Sequence, residues 1–156
     1  MAYYEDLSAC NYFPWKNELI AIGWLDTAHD FPKGAAPPEF FRKLLQLLVE
    51  PWQPVRFMGF HPCEFCGPSL LEFGAIKVEM GSSNLFIPSN RDVYVAPSLI
   101  VHYIDTHRYL PPLAFREAVL SCPLMSSPEF LAAVRATGRD FTPPGLRGKA
   151  PGAGLL

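Results

Sequence analysis

The 156-residue sequence lacks a long apolar run, an excess of charge of one sign and a second pair of closely spaced cysteines. No hydrophobic stretch approaches the ~18 residues that a membrane-spanning helix needs, and the most apolar segment, 44–49, is interrupted by Gln46. Thirteen basic residues stand against 15 acidic ones, a formal net charge of -2, and Lys and Arg are scattered along the chain. We therefore expect no membrane insertion and no nucleic-acid binding.

The N-terminus also lacks the features of a secretory signal. Glu5 and Asp6 stand where such a signal carries basic residues, and no apolar segment follows them. We therefore expect a cytoplasmic protein, in which disulfides are rare. The four cysteines are accordingly interpreted as thiols or metal ligands.

The composition is that of a globular protein, with 49% hydrophobic and 18% charged residues and 17 prolines. It excludes disordered, collagen-like and disulfide-framework chains. The length fits one domain, which we place at residues 1–138. Residues 139–156 are predicted to form a C-terminal tail, because the last 15 residues hold three Pro and four Gly and show no apolar periodicity before Leu155.

Proline and glycine mark the ends of four predicted helices. Apolar residues recur at helical spacing in 38–49 and 112–121, and each segment begins at a Pro-Pro pair and stops before another proline. A third helix is predicted to begin at Ser127-Pro128 and to stop at Gly138. A fourth, shorter helix is predicted over 99–105, after Pro97-Ser98.

Strand patterns lie between these helices. Segments 18–25, 55–60 and 76–80 are apolar or alternating, and 81–84 is typical of a turn. Segments 85–87 and 93–95 predict a hairpin with a five-residue loop. The order of elements predicts an α+β fold, in which three to four helices cover an antiparallel sheet of four to five strands.

The most informative motif is a C-x-x-C pair formed by Cys63 and Cys66, with Gly67 directly after it. Two thiolates at this spacing can bind one Zn²⁺ through a tight turn, in the manner of a zinc knuckle. Because Cys10 and Cys122 are isolated, the other ligands are expected to be histidine, carboxylate or water.

Histidines supply the remaining ligands of the predicted site. The preferred set is Cys63, Cys66 and His102, with His61 or His107 as the fourth ligand. Residues five apart on a helix point about 140° away from each other, so His102 and His107 are expected to share a metal only if the helix ends between them. His29 is the least favoured histidine.

Other interpretations of these residues stay open at this point. The cysteines can form a redox pair or pack as unpaired thiols. His102 can be a hydrogen-bonded core histidine, and His107 can cap the end of a helix. The sequence has no H-E-x-x-H, G-x-S-x-G, P-loop or dinucleotide-binding motif, and no H-x-E to complete a zinc-deaminase signature.

Several segments together resemble a family of small bacterial proteins of unknown function. The resemblance covers roughly residues 18–135 and is carried by 59–61, Cys63, Cys66, 94–97, 102–104 and 107–112. It implies a bacterial, cytosolic origin and a single site that contains these cysteines and histidines. It implies no fold, substrate or activity.

The sequence thus predicts a structural zinc site in a protein that acts as an interaction or regulatory module, with a protein partner possible. A metal-dependent hydrolase, in which three protein ligands and a water bind the zinc, is the alternative. A C-x-x-C redox protein is a further alternative.

Overall fold

The computed structural model describes residues 2–55, 61–67, 71–73, 76–78 and 83–142. Within them the chain forms strands and helices in a fixed order. These are β1 (Ala9–Cys10), β2 (Leu19–Ala21), α1 (Pro38–Val49), β3 (Leu71–Phe73), β4 (Ile76–Val78), β5 (Asn84–Ser89), β6 (Asp92–Pro97), α2 (Ile100–His107), α3 (Leu113–Ser121) and α4 (Pro128–Ala136). The α+β class predicted from the sequence is confirmed.

The helices lie where proline and apolar spacing predict them. α1 has the predicted bounds, and its buried stripe includes Phe40, Leu44 and Leu48. α4 begins after Ser127, whose hydroxyl oxygen accepts a hydrogen bond from the Phe130 N–H, as expected of an N-cap. α2 is longer than predicted, because it continues to His107.

The main sheet is mixed, so the prediction of an antiparallel sheet is wrong. Its strand order is β1-β2-β6-β5. The outer pairs are antiparallel, but β2 and β6 run parallel, with Ile20 opposite Tyr94 and Ala21 opposite Val95. Parallel neighbours need a long crossover connection, and the chain between β2 and the β5–β6 hairpin, which includes α1 and the separate β3–β4 pair, supplies it.

The hairpin has a two-residue loop, not the predicted five-residue loop. Pro88 and Ser89 belong to β5, opposite Val93 and Asp92. Asn90 follows with a left-handed φ of 53°, which Asn tolerates better than most residues. Pro88 suggested a loop, but β5 is an edge strand of this sheet, where proline is accepted.

The other strand predictions have mixed outcomes. The 18–25 segment contributes only the three residues of β2, because Gly23 adopts a left-handed φ of 72°. The 76–80 segment contains β4, which pairs with β3. Residues 56–60 of the predicted 55–60 strand and residues 81–82 of the predicted turn lie outside the described residues.

Two buried clusters cover the two faces of the sheet. The larger one joins β5, β6 and the four helices, and it contains Cys122. The smaller one is rich in aromatic side chains around Trp24, whose indole N–H donates to the Val95 carbonyl at 3.0 Å, and it contains Cys10. Both cysteines are buried and neither has a disulfide partner, which fits the interpretation of the cysteines as thiols or metal ligands.

The chain after α4 continues along the domain as far as it is described. Phe141 packs edge-on against Trp15 and Trp52, and Asn17 exchanges hydrogen bonds with the Asp140 backbone. Residues 143–156 lie outside the described part, so the division at residue 138 stays a prediction. Among the described residues, no helix combines the length and apolar character needed to cross a membrane.

Candidate metal centre

The C-x-x-C motif lies on a closed turn. Cys63 and Gly67 form an isolated bridge, in which the Gly67 N–H donates to the Cys63 carbonyl at 2.8 Å. Gly67 has a φ of +81°, and a Cβ built there would meet no atom within 4 Å. Glycine is therefore needed for the backbone conformation of the turn and not for space.

The second half of the site is the C-terminal end of α2. His102 and His107 both belong to this helix, and their ring centroids are 5.0 Å apart. The expectation that the two can meet only if the helix ends between them is therefore wrong. The helix closes with a hydrogen bond from the Arg108 N–H to the Tyr103 carbonyl, five residues back, and Arg108 has a φ of 58°. Such a bond closes a wider turn than a regular α-helical one, so side chains five apart come closer together.

The turn and the helix end bring four potential metal ligands together. The ligand atoms of Cys63, Cys66, His102 and His107 all lie within 4.8 Å of one another. Cys66 Sγ is 3.2 Å from His102 Nε2, and Cys63 Sγ is 3.4 Å from His107 Nε2. Neighbouring S and N ligands of a tetrahedral Zn²⁺ are about 3.3 to 3.8 Å apart, as follows from Zn–S and Zn–N bond lengths. The two Sγ–Nε2 pairs are already that close, and a Zn²⁺ ion fits once the wider ligand pairs, which lie within 4.8 Å, approach one another.

The remaining histidines lie outside this group. His61 is half-buried and is not among the four clustered residues. Its partial burial lowers the pKa of its imidazole. His29 is exposed; its ring stacks on Tyr3, and its Nδ1 lies 2.8 Å from Asp26. The structure thus brings together His107, and not His61, with the three preferred ligands.

Several neighbours orient the two imidazoles, and sequence reasoning missed them. Thr106 Oγ1 lies 3.3 Å from His102 Nδ1, so the hydroxyl oxygen can accept a hydrogen bond from a protonated Nδ1. The lone pair of Nε2 is then directed toward Cys66. Phe65, inside the C-x-x-C motif, packs on the His107 ring at 5.0 Å and on Phe31. The spacing of four between His102 and Thr106 is a signal that could have found the threonine.

The electrostatics favour neutral imidazoles and a protonated Cys66 thiol in the absence of a cation. Burial, followed by the neighbouring His107, lowers the pKa of His102. Burial and Lys33 lower the pKa of His107. Desolvation, followed by its contact with Cys63, raises the pKa of the Cys66 thiol. The histidines are therefore in the form that binds metals at neutral pH, whereas a metal would have to displace the thiol proton.

An α+β fold with a cluster of two cysteines and two histidines defines a domain with a possible metal site. Residues 2–120 match the family described as Domain of unknown function (DUF7919), and because this match covers most of the chain, the protein belongs to that family. The prediction of a family of unknown function is thereby confirmed, whereas the motifs that carried the resemblance and the bacterial origin stay predictions. Neither the curated proteins nor the solved structures compared with the chain gave a significant match.

Proposed function

We propose that Cys63, Cys66, His102 and His107 bind one Zn²⁺ ion and that this ion has a structural role. It would fasten the 63–67 turn to the end of α2, which Phe65 of the turn contacts through Tyr103 and His107. In this proposal the protein is an interaction or regulatory module of the bacterial cytoplasm.

The convergence of the four ligand atoms carries the proposal. Two thiolates with two imidazoles form a set that suits Zn²⁺ in preference to the hard cations Mg²⁺ and Ca²⁺, which take oxygen ligands. Cys63 and His102 are buried, His107 is half-buried and Cys66 is exposed. A metal bound here would lie at the edge of the core, with one side within reach of solvent.

The number of protein ligands favours a structural site over a hydrolytic one. Four side chains fill a tetrahedral shell, whereas a hydrolase keeps one position for water. Among the described residues, the cluster itself contains no carboxylate. The hydrolase alternative would require Cys66, the exposed member, to remain unbound.

Exposed leucines support the protein partner in this proposal. Leu113 and Leu120 lie seven positions apart on α3 and therefore on the same side of the helix; they are 58% and 46% exposed. Leu124 and Leu131, which follow along the chain, are exposed as well. Exposed apolar side chains on one side of a helix can contribute to a protein contact.

The experiment is metal analysis of the purified protein, with Cys63→Ser as the test variant and Cys122→Ser as its control. We expect about one zinc per chain in the wild type and in the control, because Cys122 is a core thiol bonded to the Pro123 carbonyl. Cys63→Ser should lose most of the metal. Wild-type protein from zinc-replete cells that contains no zinc would overturn the proposal, and a Cys63–Cys66 disulfide in that protein would favour the redox alternative.

A further inference from the structure

The two cysteines of the cluster differ in exposure. Cys63 is 2% exposed, whereas Cys66 is an exposed residue at the outer side of the same turn. Both sulfurs face the same two imidazoles, and each lies within 4.8 Å of every other ligand atom. The exposed member of the pair is therefore within reach of a small solute, and the buried member's sulfur lies within 4.8 Å of the Cys66 sulfur.

We propose that Cys66 is a site of oxidation by peroxides and that its reaction with Cys63 releases the zinc ion. This inference rests on the proposed zinc site. Zn²⁺ holds both sulfurs as thiolates, and the thiolate is the form of cysteine that peroxides attack. The exposed Cys66 sulfur reacts with the oxidant first. The buried Cys63 sulfur then forms a disulfide with the oxidised Cys66.

The chemistry balances with hydrogen peroxide as the oxidant. The Cys66 thiolate attacks one peroxide oxygen, the O–O bond breaks, and Cys66 sulfenic acid and hydroxide form. The Cys63 thiolate then attacks the Cys66 sulfur, the S–O bond breaks, and a second hydroxide leaves. Two electrons pass from the two sulfurs to the peroxide. The zinc ion keeps only His102 and His107 as protein ligands and dissociates.

The conformation of the turn is compatible with a disulfide between the two cysteines. A disulfide requires the sulfurs to approach to about 2.05 Å. The Cys63 carbonyl is already bonded to the Gly67 N–H, so the two cysteines are held at the ends of one short loop. No side chain of residue 67 opposes a small rotation of the turn, because it is glycine with open space around it.

The consequence concerns the packing around α2. Phe65 lies between the cysteines and contacts His107, Tyr103 and Phe31. Once the metal leaves and the sulfurs join each other, the turn loses its attachment to the two imidazoles and keeps these aromatic contacts with the helix end. Oxidation would therefore loosen this corner of the domain and change the surface around residues 31 and 65.

The test treats the zinc-loaded full-length protein with hydrogen peroxide in the presence of a chromogenic zinc chelator. We expect release of about one zinc per chain, a Cys63–Cys66 disulfide in peptide mass spectra, and rebinding after addition of a thiol reductant and zinc. Trapping with a sulfenic-acid reagent at short times should label Cys66 before Cys63. The Cys10→Ser/Cys122→Ser variant should release zinc at the wild-type rate.

A Cys66→His variant provides the second measurement, since it keeps four ligands but cannot form the disulfide. It should bind zinc and release it to peroxide at least about tenfold more slowly. Zinc that stays bound at peroxide concentrations that oxidise free glutathione would overturn the inference while leaving the zinc site intact. Release with labelling of Cys63 first, or without the disulfide, would overturn it as well. Protein that never binds zinc would instead refute the proposed function.

Discussion

Cys66 Sγ lies 3.2 Å from His102 Nε2, although the two residues are 36 positions apart in the chain. The contact joins a turn to a helix, and a parallel strand pair places that helix: β6, which leads into α2, is aligned beside β2. A metal at this contact would therefore stabilise long-range structure and not only a local loop.

The first prediction concerns His61 and His107, the two histidines that the sequence offers as the fourth ligand. His107→Ala should weaken zinc affinity by more than about 100-fold, because loss of a direct ligand should exceed the 10- to 100-fold effect of losing an outer-shell partner. His61→Ala should leave the affinity close to that of the wild type, since His61 is outside the cluster. Competition with a chelator of known affinity measures both. Equal losses in the two variants would contradict the ligand set.

Removal of zinc should destabilise the folded protein. At free zinc about 100-fold above the dissociation constant, binding adds about 2.7 kcal/mol to the free energy of unfolding. For a chain of this size that corresponds to a rise of Tm of roughly 5 to 10 °C. Thermal unfolding with zinc and with a chelator measures the difference. The Cys63→Ser variant should show no such difference, and a large one in that variant would point to a metal bound elsewhere.

Glycine 67 offers a test of the turn itself. Gly67→Ala should cost about 1 kcal/mol or more of folding free energy, because its φ of +81° is unfavourable for alanine. Gly138→Ala is a matched control, since Gly138 has a φ of +72° and equally open space but follows α4, away from the cluster. Without zinc, both variants should lose stability by similar amounts, and only Gly67→Ala should also lose zinc affinity. An unchanged affinity would show that the turn does not position the sulfurs.

A further prediction concerns the half-buried carboxylate of Asp6. Its Oδ2 accepts a hydrogen bond from the Tyr109 hydroxyl at 2.8 Å, its Oδ1 accepts one from the Gly23 N–H, and burial raises its pKa above 3.8. The folded protein therefore holds this proton more tightly than the unfolded chain, and the stability so gained is lost as the pH rises from about 3.8 through the folded-state pKa.

The Asp6→Asn variant isolates this effect. The free energy of unfolding of the wild type minus that of Asp6→Asn should fall between pH 4 and pH 7, because only the wild type titrates at this position. Urea unfolding at several pH values measures the difference. A difference that rises with pH would mean that the hydrogen bonds to the carboxylate outweigh its burial.

The helices and half of the candidate site follow from local patterns. Proline starts and apolar spacing are enough to define α1, because they act within one or two turns of chain. The Cys63 and Cys66 pair is equally local. His102 was identified as a ligand candidate because a predicted helix carries it.

The features that sequence reasoning missed depend on distant partners or on strained ends. Nothing within 19–21 or 92–97 specifies that these segments pair in parallel, because that register is set by how the chain between them packs. The position of the His107 side chain depends on the hydrogen bond from the Arg108 N–H to the Tyr103 carbonyl, and no residue pattern predicts that bond. The sequence predicts a loop at Pro88, because proline is accepted in a strand at the edge of a sheet and only the strand order shows that β5 is such a strand.

The most direct test of the zinc site is X-ray absorption at the zinc edge of the metal-loaded protein. The proposed ligand set predicts two sulfur scatterers at about 2.3 Å and two imidazole nitrogens at about 2.0 Å. Cys66→His should convert this to one sulfur and three nitrogens. A wild-type shell with a single sulfur and an oxygen from water would contradict a closed structural site, and a shell of oxygen and nitrogen alone would show that the cysteines do not bind the metal.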